Sequence, residues 1–176
     1  MKVICYIAVS MDGYIARDDG AVDWLNRYMD VDYGYQAFSA SIDAVIMGHA
    51  TYLKSLEFGP EAFQGEMPYF VMTRNPDRQD AGKVQFVTDP PQQLCAKLRG
   101  RGDLHRVWMM GGGQVLQAFL DEGLVDEMML FVIPEMLGTG IPLFPSGTRP
   151  AAWQLHRNEA YMNGVVLLHY HRANFT

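Results

Sequence analysis

Apolar residues fall along this chain in short continuous runs, each ended by glycine, proline or a cluster of polar residues. The run 3–9 is rich in β-branched residues and predicts a strand buried on both faces. Runs 43–47, 69–72, 84–87 and 107–110 predict four more strands of the same kind. Between them the spacing becomes helical. Tyr35, Phe38 and Ile42 are compatible with a helix over 33–41, with Asp30 or Asp32 as its N-cap. A second helix starts at His49, directly after Gly48. A third starts at Pro91 and runs through Leu94 and Leu98 to Gly100. Val115, Leu116, Phe119 and Leu120 form the apolar face of a fourth, with Gly123 as its stop. The last third is different. Residues 127–133 form a long apolar run, 134–144 a loop full of breakers, and 153–157 and 165–170 two strands joined near Asn163 and Gly164.

Alternating strands and helices imply a parallel sheet with helices on both faces, and consecutive strands imply an antiparallel edge. The expected fold is therefore α/β, a mixed sheet that is mainly parallel with antiparallel C-terminal strands. At 176 residues the chain is read as a single domain, 1–176.

In such sheets ligands bind past the carboxyl ends of the strands. Four stretches are expected there: 8–15, 48–51, Thr73 with Arg74, and the glycines Gly111, Gly112 and Gly113. Two of these are strand–glycine–helix turns, at Gly48 and at the triple glycine. Free N–H groups at a helix start, with partial positive charge, suit an anion, and glycine lets a phosphate approach the backbone. The other reading of such a turn is a tight connection that binds nothing. The spacing is not the GxGxxG fingerprint of an ordinary dinucleotide fold.

The charge balance narrows the partners. A net charge of −6 argues against general nucleic-acid or anionic-membrane binding, so an anionic ligand would need local cations. Cys5 and Cys95 lie in apolar runs and read as reduced core residues of a cytoplasmic protein. No signal peptide or apolar stretch of membrane length is visible.

Six blocks, in order, resemble the signatures of the dihydrofolate reductase-like superfamily. They are Ser10-Met11-Asp12-Gly13-Tyr14-Ile15-Ala16, Met47-Gly48-His49-Ala50-Thr51-Tyr52, Thr73-Arg74-Asn75, Met110-Gly111-Gly112-Gly113, Leu124-Val125-Asp126-Glu127 and residues 137–144. They look most like the branch similar to the C-terminal reductase domain of the bifunctional riboflavin biosynthesis deaminase/reductase. The resemblance implies an NADPH-dependent reductase of a small heterocycle, similar to 5-amino-6-(5-phosphoribosylamino)uracil reductase. It implies Ala8 and Ile15 at the nicotinamide, and Gly48, His49 and Thr51 at the phosphates. Thr73 and Arg74 would lie near the adenosine 2′-phosphate. Gly111, Gly112, Gly113, Gln114 and Val115 would lie at the diphosphate, with a cis Gly111–Gly112 peptide. It also implies a homodimer, formed through the late antiparallel strands. The family usually has arginine where this chain has His49. Histidine is charged only in part near neutral pH, so preference for NADP over NAD leans on Arg74.

Counting back sixteen positions from Gly48 gives Asp32, the place of the acid that helps protonate the pterin in dihydrofolate reductases. The alternative for Asp32 is a helix N-cap. His169 and His171 alternate on one strand face, but without a third ligand no metal site is expected. The His-x-Glu and Pro-Cys-x-x-Cys signature of the zinc deaminases is absent from the sequence, so a stand-alone reductase-like domain is expected. Three other functions stay open: a non-catalytic NADP(H)-binding or structural homodimer, dihydrofolate reductase-type activity on a pterin, and binding of another nucleotide such as a flavin.

Overall fold

A computed structural model of the chain describes residues 1–59, 63 and 66–173. Eight strands form one sheet: β1 (Lys2–Ser10), β3 (Ala44–Gly48), β4 (Tyr69–Met72), β5 (Val84–Val87), β6 (Arg106–Gly111), β7 (Glu127–Ile133), β9 (Trp153–Ala160) and β10 (Val166–Arg172). Their spatial order is β5-β4-β3-β6-β1-β7-β10-β9. Every pairing from β5 across to β7 is parallel, while β10 runs antiparallel to both β7 and β9. The expected mixed sheet is therefore present.

The strands 43–47, 69–72, 84–87, 107–110 and 127–133 lie within two residues of their predicted limits, because each is an apolar run bounded by residues that cannot continue it. Residue alternation divides the core. Val3 and Cys5 of β1 face one side, with Leu94 and Leu98 of α3 (Pro91–Arg101) and Leu116 and Phe119 of α4 (Gly113–Asp121). Ile4 faces the other side, with Val45, Trp108 and Phe38 of α1 (Tyr35–Ala40). Leu116 and Phe119 are fully buried, worth about 1.5–3 kcal/mol each on transfer from water. Both cysteines are buried and free; burial pushes the Cys5 thiol up to about 12.

Helix α4 ends as predicted. Gly123 has φ +68°, its N–H donates to Leu120 O at 3.0 Å, and the Leu124 N–H donates to Phe119 O at 2.9 Å, the paired bonds of a Schellman motif.

Two features depart from the expectation. The segment 134–144 is not only a loop: β8 (Ile141–Pro142) pairs with β2 (Tyr14–Ala16) in a separate two-stranded sheet. Its three- and two-residue strands are too short to produce a period. The strand predicted over 153–157 extends to Ala160, where its side chains are mostly exposed on the sheet edge and so carry no apolar signal.

Candidate functional site

The carboxyl ends of β1, β6, β3, β4 and β5 open on one cleft of about 1000 Å³. These strands are consecutive in the sheet, so the cleft runs across four strand spacings, roughly 19 Å. That shape suits an elongated ligand lying across the strand tips.

Its middle is built from the two glycine turns. Gly48 closes β3 and α2 (His49–Leu56) follows at once; Gly112 does the same between β6 and α4. The turns touch. A Cβ on Gly48 would stand 2.9 Å from Val115 Cγ2, and one on Gly112 would stand 3.2 Å from Thr51 Oγ1. A Cβ on Gly113 would stand 2.8 Å from the Pro142 carbonyl oxygen. Side chains are thus excluded where two helix N-termini approach each other, and the first N–H groups of both helices lie at one place. The Gly111–Gly112 peptide is cis.

The two ends of the cleft differ in chemistry. At the β1 end, Ile7, Ala8, Ile15, Val22, Leu25 and Ile141 present apolar surface. At the β4–β5 end stand Thr73, Arg74, Arg78, Thr88 and Asp89. Arg74 and Arg78 form no ion pair among the described residues; Arg78 lies over the Phe86 ring, 5.8 Å from its centroid. A flat apolar ring fits the first end and an anionic group the second.

His49 supplies a test of fit for a phosphorylated cofactor. The residue lines this cleft, and its Nε2 is buried with no hydrogen-bond partner among the described residues. Buried polar atoms rarely stay unpaired. A phosphate oxygen at the helix N-termini would give it one once the ring turns toward the cleft, because the nitrogen has no exposed surface as it stands. Gly48, His49, Thr51, Gly112, Gly113 and Gln114 are therefore the residues that would hold a diphosphate.

Of the residues singled out for a cofactor, Ala8, Ile15, Gly48, His49, Thr51, Thr73, Arg74, Gly112, Gly113, Gln114 and Val115 all line the cleft, and Gly111 lies one residue behind it. Asp32 does not line it. That carboxylate is exposed, and its Oδ1 accepts from the backbone N–H of Tyr35 at 2.6 Å and of Gln36 at 3.4 Å. The N-cap of α1 is Gly34 rather than Asp30 or Asp32; Asp32 lies two residues before it and reaches the first two helical N–H groups from there. Sequence reasoning missed Lys54, Arg78, Thr88 and Asp89. Thr88 and Asp89 follow directly on the carboxyl end of β5, so the strand-end rule would have found them.

The rim of the apolar end is fastened by Asp12. Its carboxylate accepts from Ser10 Oγ at 2.5 Å and from the N–H groups of Leu137 and Gly138 at 3.1 and 2.8 Å. The Ser10 hydroxyl does most to hold the Asp12 carboxyl below its ordinary range; desolvation opposes it, and the Gly138 and Leu137 amides add to the lowering. This ties the β1–β2 turn to the segment that carries β8.

Comparison with known proteins agrees with this architecture. The chain is 34% identical over 173 residues to YwjB of Bacillus subtilis (strain 168), an uncharacterised protein, covering 98% of each. Its fold matches that of a Shewanella sp. PV-4 protein named for riboflavin biosynthesis, at 30% identity and TM-score 0.88, covering 99% of this chain and all of that one. It also matches the Thermotoga maritima diaminohydroxyphosphoribosylaminopyrimidine deaminase/5-amino-6-(5-phosphoribosylamino)uracil reductase, at 18% identity and TM-score 0.75, covering 98% of this chain and 56% of that one. A fourth match is the Enterococcus faecalis dihydrofolate reductase complexed with NADP(H), at 17% identity and TM-score 0.69, covering 98% and 97%. The last two likenesses are of fold alone. The family described as the RibD C-terminal domain matches residues 1–167, and the chain belongs to that family, on a dihydrofolate reductase-like fold.

Proposed function

We propose that this protein is an NADPH-dependent reductase of a small heterocyclic substrate, similar in reaction to 5-amino-6-(5-phosphoribosylamino)uracil reductase. The observation that carries the reading is the cleft itself. It joins in one line an apolar end, two touching helix N-termini and two arginines without an ion pair among the described residues. When bound, the nicotinamide would supply a hydride to a C=N or C=O bond.

The protein's part is binding and orientation. The N–H groups of α2 and α4 and the His49 ring hold the diphosphate. Arg74 and Arg78 take the 2′-phosphate. Ile7, Ala8 and Ile15 exclude water from the reacting face. The family membership supports a reductase-type fold, and the name of the Enterococcus neighbour supports a nicotinamide cofactor. A cytoplasmic homodimer belongs to the same reading, and light scattering tests its second half. No helix among the described residues is long and apolar enough to cross a membrane.

One observation favours a second reading, a non-catalytic NADP(H) binder. The named β1-end residues bring no acid or base to the place of reaction. Separate fluorescence titrations with NADPH and NADH test both. Tighter binding of NADPH, with Arg74→Ala narrowing the difference, is expected. No fluorescence change with either nucleotide would refute both readings. Binding of NADPH without turnover of any aminopyrimidine or pterin would leave the second.

A further inference from the structure

The opposite rim of the same sheet carries a cluster that the cleft does not use. Strand β7 begins at Glu127, which pairs across to His171 on β10. His169 lies two residues back on the same face. On β9 the register pairs His169 with Arg157, and then Tyr170 with Leu155. His156 is the residue skipped. A bulge of this kind leaves one residue unpaired and re-aims its side chain. Here it turns the His156 ring onto both of the others. The His156 and His171 rings stack with centroids 4.3 Å apart and an interplanar angle of 14°. His169 stands edge-on to both, at 5.2 and 4.9 Å. One nitrogen from each ring lies within 4.8 Å of the other two.

Glu127 lies beside the rings. It is only 5% exposed and is already paired with Lys2, Nζ to Oε1 at 2.6 Å. Each imidazole can offer one ring nitrogen to a metal, so three rings facing one another present a converging set of donors.

We infer that His156, His169 and His171 form a binding site for one divalent transition-metal cation of the zinc type. Imidazole suits zinc, copper, nickel and cobalt rather than magnesium or calcium. Zinc–nitrogen bonds of 2.0–2.1 Å put tetrahedral ligand nitrogens about 3.3 Å apart, so the rings close by about 1.5 Å at most. His156 is exposed on an edge strand and has room to do so. Glu127 stands beside the ligands: its Oε2 lies at hydrogen-bond distance from His169 Nε2, 3.2 Å, and 3.9 Å from His171 Nε2, beyond a hydrogen bond. A carboxylate so placed orients the ligand ring that it bonds. The site clasps β9 to β10 at the amino end of β7, while the cleft lies past the carboxyl ends of β1 and its parallel neighbours. The sequence offered two of these ligands; the bulge brings the third.

The test uses the full chain without a histidine tag, stripped with EDTA and titrated with CoCl2 and then ZnCl2. One equivalent of cobalt should give the visible absorption of a four-coordinate site, and zinc should abolish it. Zinc should raise the melting temperature of the wild type. His156→Ala should lower zinc affinity at least tenfold, while its melting temperature in EDTA stays that of the wild type. His105→Ala should bind as the wild type does. Glu127→Gln should weaken binding by about 10–100-fold. Absence of the cobalt spectrum, or equal zinc affinity in the wild type and His156→Ala, would overturn the assignment.

Discussion

Gly113→Ala and Gly100→Ala are the same chemical change at two helical glycines, and the structure predicts opposite outcomes. Gly100 lies in α3, has no left-handed φ, and a Cβ there meets nothing within 4 Å. Alanine should therefore add stability by about 0.5–1 kcal/mol through helix propensity and a less flexible unfolded chain. Gly113 starts α4, and its Cβ would stand 2.8 Å from the Pro142 carbonyl oxygen. Close carbon–oxygen contacts lie near 3.3 Å, so about half an ångström must be found. The oxygen is backbone. It belongs to β8, which is paired to β2 and held again by the bond from Leu143 N–H to Gly13 O at 2.9 Å. Overpacking of this sort costs about 1–3 kcal/mol, offset by up to about 1 kcal/mol of propensity. The net loss is at most about 3 kcal/mol, a fall in melting temperature of up to about 12 °C for a chain of this length. Thermal melts followed by circular dichroism measure both variants. NADPH titration should show weaker binding for Gly113→Ala only, because the displaced turn carries the first N–H groups of α4. If both variants move stability in the same direction, the close approach of β8 to α4 is not what requires glycine at 113.

Asp32→Ala should lower stability by about 1 kcal/mol through loss of the cap on Tyr35 and Gln36, seen as a shift in the urea midpoint; a variant as stable as the wild type would remove the capping role. Asp12 has a lowered folded-state pKa, so its contribution is present above the unfolded value and is lost as pH falls through the folded one. Between about pH 4 and lower values the wild type should therefore lose stability more steeply than Asp12→Asn, and parallel acid titrations of the two would sink that reading. Asp43 Oδ2 accepts from the N–H groups of His105 and Arg106 at 2.7 and 2.8 Å where β6 begins; Asp43→Ala should cost about 1–3 kcal/mol in chemical denaturation, and a cost near zero would mean that water replaces both bonds.

The amino-acid sequence by itself determined the sheet body, the two glycine turns and the stop at Gly123. Each is a local matter: an apolar run long enough to be buried on both faces, or a glycine where the chain must turn or let another backbone approach. The parallel order followed from the alternation of strands and helices, and from that order came the gathering of Ala8, Gly48, Thr73 and Gly112 along one rim. Only the tertiary structure decided what depends on contacts between distant segments. Arg78 faces the cleft because β4 and β5 bring their tips together. The β2–β8 pair forms because Asp12 holds residues 137 and 138, more than 120 positions away. His156 meets His169 and His171 because one residue is skipped in the register between two edge strands. A register slip has no signature in the sequence, since the same residues read in perfect alternation would send that ring to the other face.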